Sequence, residues 1–450
     1  MKSSPARPTR RRILAGLAVV TASTLALTAC GGSSGGGSAP SGGGSALVVP
    51  STDPTATLKV LSILDLKTDG MQPVVDAFEQ AHPTIKLDWQ TVPFDSLNST
   101  IDARVANKGG DPDVYWADQP RISALAARGE AEDLTSAFSS LKGSFDPTAY
   151  DAGLYNDKLW ALPIANSTQL LYYNKTLLKK AGLSDPSAST DQRMTWQQLT
   201  TDAKKAKDAG AQYGFLFGQF DRYYQLEPLP VQLGGSVGAS GTGNLTPDFT
   251  SDAWVKAFDW YGSLFADGVA PRGVKSEETD PAFLAGRAAY MVEGPWLLPQ
   301  LQESKVEWGV APQPVFEGGK PATPTGSWSL AVNPFSTQKE AAAVFLKWMT
   351  VDEGGGYIKY RSAPELAASP EGKKIYFAKD VFSSAEGKKA AEIIDFETSN
   401  TAVNRVQSIG YIEFETIMNQ AFADIRNGAD AKTTLDKASD QLKTAWQKYQ

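Results

Sequence analysis

The side chains that carry acid, base or nucleophilic chemistry are unevenly represented in this 450-residue chain, which has one histidine, His82, and one cysteine, Cys30. A Ser-His-Asp triad needs a positionable imidazole, a Cys-His pair needs two scarce residues to meet, and zinc sites usually draw three or four ligands from Cys and His. Those chemistries are out of reach, and one cysteine has no partner for a disulfide within the chain. Carboxylates are plentiful at 50, so acid–base work by a carboxylate pair stays open. The glycine-rich run Gly234-Gly235-Ser236-Val237-Gly238 lacks Walker spacing and reads as a loop. Neither a metal nor a cofactor is called for.

The charge is uneven. Residues 1–29 hold five basic residues and no acidic one; beyond them 38 basic residues face 50 acidic ones, a net of −12. A body this acidic is a poor polyanion binder, which argues against nucleic acid as a partner. At about 150 residues per domain, the length suggests two to three domains.

Arg10-Arg11-Arg12 precede an uncharged apolar run, Ile13 to Ala29. A basic start, an apolar stretch and small residues before a break describe a signal peptide, residues 1–29. The run sits at the lower length limit for spanning a bilayer. Leu27-Thr28-Ala29-Cys30-Gly31 resembles the bacterial lipobox, which implies cleavage before Cys30 and lipid attachment there. Thr9-Arg10-Arg11-Arg12-Ile13-Leu14 resembles a twin-arginine signal, and the same residues suit general secretory export. Residues 30–57 form a linker in which Gly31–Ser45 is nearly all Gly and Ser. Such a coil spans roughly 25 Å over about 20 residues and holds the body near the membrane's extracytoplasmic face.

The elements that position any site follow from periodicity. Thr57–Leu64 reads as a buried strand, and Met71–Gln80 as a helix with Val74, Val75 and Phe78 on one face, ended at His82-Pro83. Ile85, Leu87 and Trp89 alternate along a second strand; Leu97, Ile101 and Val105 mark a helix over Phe94–Lys108 closed by Gly109-Gly110; and Asp113–Trp116 is a third strand. This is the βαβ rhythm of a parallel sheet. Different material follows: strands at Leu170–Tyr173, Tyr213–Phe217 and Ala288–Val292, and helices at Lys175–Ala181, from Trp196 behind a Thr195/Gln198 capping box, Asp252–Asp267, Thr337–Met349 and Tyr411–Arg426. Trp254, Phe258, Tyr261 and Phe265 repeat at helical spacing, and Trp196, Trp348 and His82 likewise read as structural. No repeat period is visible, and two α/β lobes fit the length.

Several segments are similar, in order, to one family: the extracellular solute-binding proteins of bacterial ABC importers, in the sugar-binding branch that includes maltose-binding protein. They are Phe78-Glu79 to Leu87, Gly110-Asp111-Pro112-Asp113-Val114, Leu171-Tyr172-Tyr173-Asn174-Lys175, Ala181-Gly182-Leu183, Thr195-Trp196, and Phe283-Leu284-Ala285-Gly286-Arg287-Ala288-Ala289 with Glu293-Gly294-Pro295-Trp296. The resemblance implies an α/β, two-lobed periplasmic-binding-protein-like fold with a hinged cleft. It places crossings near Ala165–Leu170, Trp308–Ala311 and Met349–Asp352, giving an N-terminal lobe of 58–164 plus 310–350 and a C-terminal lobe of 165–309 plus 351–450.

A sugar offers hydroxyls and apolar C–H faces, so its site combines polar side chains with aromatic rings, past the carboxyl ends of the strands. Asp65 follows the first strand, and Trp116, Asp118 and Gln119 the third. By resemblance, Asp65 with Asp118 or Gln119 would accept hydroxyl bonds, Trp116 would line the pocket, and Asn166-Ser167 would stand at the hinge where relatives often carry a carboxylate. Tyr223 and Tyr224 follow the strand ending at Phe217, where similar proteins place an aromatic contact. Glu293 leads to Trp296, which matches the family's stacking tryptophan. Gly326, Ser327 and Trp328 resemble its glycine turn with the first glycine missing, and Arg361 and Tyr411 complete the candidates.

The function so implied is capture of a mono- or oligosaccharide by a monomer that delivers it to ABC permease subunits, without catalysis. The alternatives are a secreted hydrolase using paired carboxylates, a binder of another polar solute, and a surface protein with no ligand. Changing Cys30 to Ser should release the protein into the medium or leave it as an unprocessed precursor, read by fractionation and immunoblot. Mature-length protein retained in the membrane fraction would refute lipidation.

Overall fold

The computed structural model describes residues 46–362 and 365–449. The signal peptide, Cys30 and the glycine-serine run lie outside these residues. Among the described residues, no helix is long and apolar enough to cross a membrane.

Two sheets organise a two-lobed α/β fold. In the first, the strands lie in the order Ile85–Thr91, Ala56–Ser62, Val114–Asp118, Trp328–Val332 and Leu162–Pro163. The first three are parallel, with Val60 opposite Val114, as the βαβ rhythm predicts. Trp328–Val332 then enters antiparallel, Ser329 opposite Ala117, so the sheet is mixed. The second sheet runs Trp308–Pro312, Leu170–Asn174, Ala288–Glu293 and Tyr213–Phe217, and only its last pair is parallel.

Local signals act largely as expected. Helix Gln72–Ala81 begins with Pro73 in its first turn, buries Val74, Val75 and Phe78, and ends at His82, whose Nδ1 meets Asp53 at 2.7 Å. Helix Phe94–Val105 buries Leu97, Ile101 and Val105 but stops before the predicted Lys108. Lys108 itself takes the left-handed conformation, φ 58°, ahead of Gly109-Gly110. The Thr195 half of the capping box forms, its Oγ1 accepting from Gln198 N at 3.1 Å. The aromatic stripe of Asp252–Ala266 is core: Trp254 stacks on Phe258, and Phe258 on Phe422 with centroids 4.4 Å apart. Each such fully buried ring contributes about 2 kcal/mol through removal from water.

Two of the three passages between lobes depart from the sequence reading. The first does pass near Ala165–Leu170, where Ala165–Asn166 connects the sheets and pairs with Leu366–Ala367. Trp308–Pro312, however, pairs along its whole length with Leu170–Asn174 and belongs to the second sheet. The return comes later: Thr323–Thr325 pairs with Ala402–Asn404, and by Trp328 the chain is in the first sheet. The third passage also lies beyond Met349–Asp352. Arg361 Nε still donates to Asp69 O at 2.9 Å, and Lys373 Nζ meets Asp146 at 2.8 Å, both on the first lobe.

Arg193 and Glu397 form a bidentate pair at 2.5 and 2.9 Å, the carboxylate being fully buried. Removing one partner strands a desolvated charge. Arg193→Ala should therefore lower unfolding stability by about 3–5 kcal/mol in urea titrations; a loss below about 1 kcal/mol would show that water reaches Glu397.

Candidate functional site

The parallel strands of both sheets end toward a shared cleft, the position expected for ligands in α/β proteins. Its cavity has a volume of about 480 Å³. The first lobe supplies Ile63 and Leu64 after Ala56–Ser62, the turn Lys67–Gly70, Phe94, and Asp118 at the end of Val114–Asp118. The second supplies Gln219 after Tyr213–Phe217, then Arg222 and Tyr224, and Trp296 after Ala288–Glu293. The connecting segments add Ser167, Gly326, Ser327 and Trp328.

Four rings face this space: Phe94, Trp328, Trp296 and Tyr224. Phe94 meets Trp328 edge to face at 5.8 Å and lies under the Arg222 guanidinium at 5.2 Å. It is 47% exposed, so part of its ring is open to the cavity. Trp296 folds over Gly294, where a Cβ would come within 2.1 Å of the indole.

The polar lining is largely paired. Arg405 donates to both Asp118 oxygens, at 2.8 and 2.6 Å, and its guanidinium sits 5.1 Å from the Tyr224 ring. Burial opposes the Arg405 charge, but Asp118, Tyr411 and Glu415 together outweigh it and hold the guanidinium firmly protonated. Arg121 bonds Glu415, and Arg222 bonds Asp95, both across the cleft. Arg361 meets Glu365 at 2.6 Å and also bonds the Tyr357 hydroxyl; burial pulls this arginine down to about 10 and pushes Glu365 up to about 7. Ser167 Oγ donates to Gly326 O at 2.8 Å and meets the Tyr224 hydroxyl at 2.7 Å.

Of the sequence-predicted residues, Asp118, Ser167, Tyr224, Trp296, Gly326, Ser327, Trp328 and Arg361 line the cavity. The others are placed elsewhere. Asp65 accepts from Lys67 N, Thr68 N and the Thr68 hydroxyl, bonds that hold its carboxyl below the usual range, so it folds the turn whose next residues reach the cleft. Trp116 is fully buried edge-on to Trp89 at 5.2 Å. Gln119 Oε1 accepts from Ser327 N at 3.1 Å, and Asn166 Oδ1 from Ser167 N, Thr325 Oγ1 and Gly326 N, so both amides brace the connection. Tyr223 and Tyr411 pack with Phe414 in the core. Gly326, at φ +79°, does turn as expected, with Gln119 Oε1 only 2.7 Å from where a Cβ would stand.

Glu293 lies behind Trp296, in a second space shared with Asp280. Burial, and then the charge of Asp280, push Glu293 well above the usual carboxylate range. Gly218 makes room for it: a Cβ there would fall 1.4 Å from Glu293 Oε2. The sequence reading missed Phe94, Arg222, Glu365 and Arg405. Arg222 stands next to the predicted Tyr223, whereas Arg405 reaches Asp118 across 287 positions with no local motif to announce it.

Residues 65–356 match the family model described as bacterial extracellular solute-binding protein. The chain belongs to this family. Among curated relatives, one from Brucella abortus named as a binding protein is 29% identical over 292 residues; the match covers 62% of this chain and 66% of that relative. The galactooligosaccharide-binding protein of Bacillus subtilis is 25% identical over 391 residues, 84% of this chain and 86% of the relative. Among solved structures, the GacH receptor of Streptomyces glaucescens GLA.O superposes with a TM-score of 0.73 at 22% identity, covering 88% of this chain and 98% of the receptor. The Listeria monocytogenes protein Lmo0181, solved with cycloalternan, gives 0.75 at 22% identity, covering 87% and 99%.

Asp280 is pushed up to about 6 by burial. The folded protein thus keeps a proton that the unfolded chain releases near pH 4, so this contribution to stability is complete below that pH and is lost as pH rises through about 6. Holding a carboxyl that far above its ordinary range corresponds to about 2–3 kcal/mol. Urea midpoints measured from pH 4 to 8 should fall more steeply for the wild type than for Asp280→Asn; parallel curves would mean that Asp280 titrates as if in water.

Proposed function

We propose that this solute-binding protein captures a mono- or oligosaccharide in the interlobe cleft and delivers it to the permease subunits of an ABC importer, as a monomer tethered through lipidated Cys30 at the extracytoplasmic face of the membrane. The observation that carries the reading is the cavity lining. Trp296, Trp328, Phe94 and Tyr224 offer apolar faces for sugar C–H surfaces, while Asp118, Ser167, Gln219, Ser327 and Arg405 offer fixed acceptors and donors for hydroxyls. A volume of about 480 Å³ suits one to three sugar units.

The relatives support this class of solute. Similar proteins of Bacillus subtilis are named for galactooligosaccharide and maltodextrin, and the GacH receptor was solved with acarbose. The reading includes no turnover. Asp118 is engaged at both oxygens by Arg405, which suits a fixed acceptor of hydroxyl bonds better than a group that must gain and lose a proton.

A fluorescence and thermal-shift screen of the purified protein against neutral mono- and oligosaccharides should yield saturable responses. Trp296→Ala should weaken the best of them by about tenfold or more, the loss of one stacking face in a desolvated site. A broad panel without response, or an unchanged affinity in the variant, would count against this cleft as a sugar site.

A further inference from the structure

Behind Trp296 the cleft is bordered by a side chamber, also of about 480 Å³. Phe94, Gln219, Arg222 and Trp296 line both spaces, so the indole stands at the doorway between them. The main cleft carries cations and anions in near balance. The chamber does not: of its lining carboxyls, Asp95 is bonded by Arg222 and Glu277 meets Lys275 at 3.8 Å, which leaves Asp280 and Glu293 without a cation among the described residues.

Among the described residues neither inner carboxyl has a cation partner. Glu293 is only 2% exposed, accepts from Gly294 N to Oε1 at 2.7 Å, and is also hydrogen-bonded by the Gln169 and Trp296 side chains. Asp280 Oδ1 is buried with no hydrogen-bond partner among the described residues. Leaving such atoms unmatched is costly, and a ligand that supplies donors recovers the cost on binding. Like charges this close cannot both ionise cheaply, so the pair retains a proton and carries about one negative charge. Burial, and for Glu293 the neighbouring Asp280, raise both groups in the same direction.

A hydroxyl would satisfy one oxygen but leave that charge unmatched. A protonated amine brings three N–H donors and one positive charge in a compact head, and it can displace the shared proton. We propose that the chamber receives an ammonium substituent of the bound saccharide, so that amino sugars are the preferred ligands of the cleft. The inference rests on the saccharide reading: the sugar ring would stack at Trp296 while its amine passes behind the indole to Asp280 and Glu293.

The test is calorimetric titration of the purified protein at pH 7 and low salt with glucosamine, galactosamine, mannosamine and the β-1,4-linked glucosamine disaccharide, each beside its N-acetylated form, with maltotriose as a neutral reference. The free amines should bind about tenfold tighter than their N-acetyl counterparts, the scale of one charge-assisted contact in a dry site. That ratio should fall to about one in Asp280→Asn and in Glu293→Gln, whose folding is checked by thermal unfolding; if one variant does not fold, the other supplies the ratio. Saccharides that bind with no preference for the amine, or a preference that survives Asp280→Asn, would overturn the chamber's role while leaving the sugar cleft standing. Absence of binding by every saccharide, amine-bearing or neutral, would overturn both.

Discussion

Two short strands run between the sheets, and their exchange of bonds depends on one oxygen. Asn166 Oδ1 accepts from Ser167 N, from the Thr325 hydroxyl and from Gly326 N. Backbone donors buried between two lobes have no water to turn to, and a strand leaving one sheet for another loses its ladder partners. A carboxamide at this point meets those demands without introducing a charge. The neighbouring Ser167 and Gly326 are cleft residues, so the same interaction that joins the lobes also fixes part of the binding wall. A carboxylate here, where relatives often carry one, would put a desolvated charge among these buried bonds.

The electrostatics of the cleft follow a related logic. Arg405–Asp118, Arg121–Glu415 and Arg222–Asp95 place a fixed charge pair at several points where the lobes face each other. Such pairs contribute little net stability when exposed and cost desolvation when buried, but they specify geometry closely. The lining is thereby rich in fixed dipoles and poor in free net charge, a combination suited to neutral polyols. The side chamber departs from it, and that departure separates its chemistry from the rest of the cleft.

Much of the architecture was legible because it is written in local periodicity. The first three parallel strands, the helix faces of Val74, Val75 and Phe78 and of Leu97, Ile101 and Val105, and the aromatic stripe of Trp254 to Phe265 all sit as their spacing implies. The passages between lobes were read less well, because they depend on pairing rather than on pattern: Trp308–Pro312 looks like any short strand until Leu170–Asn174 is seen beside it. The site shows the same division. Strand-end position pointed to Asp118, Trp296 and Tyr224, which line the cavity, but could not tell a side chain that enters the cleft from one that props up its edge, as Asp65, Gln119 and Asn166 do. Trp116 lies in the core because its strand, central in the sheet, is buried at every position. Arg405 had no legible signal, since its role is created by a partner distant in the chain.

Gly218 and Gly294 bear on how such a protein can diversify. Each leaves empty a volume that a neighbouring functional side chain fills: the Glu293 carboxylate at the first, and the Trp296 indole at the second. The placement of those groups is therefore held by main chain from which a methyl group is missing, and one added carbon at either position displaces the group itself. Lining residues such as Gln219 or Ser327 fill no such missing-methyl space, and their side chains can change without displacing it. Descendants of this sequence can retune which solute they accept by changing the walls, while the doorway between cleft and chamber is inherited as a unit.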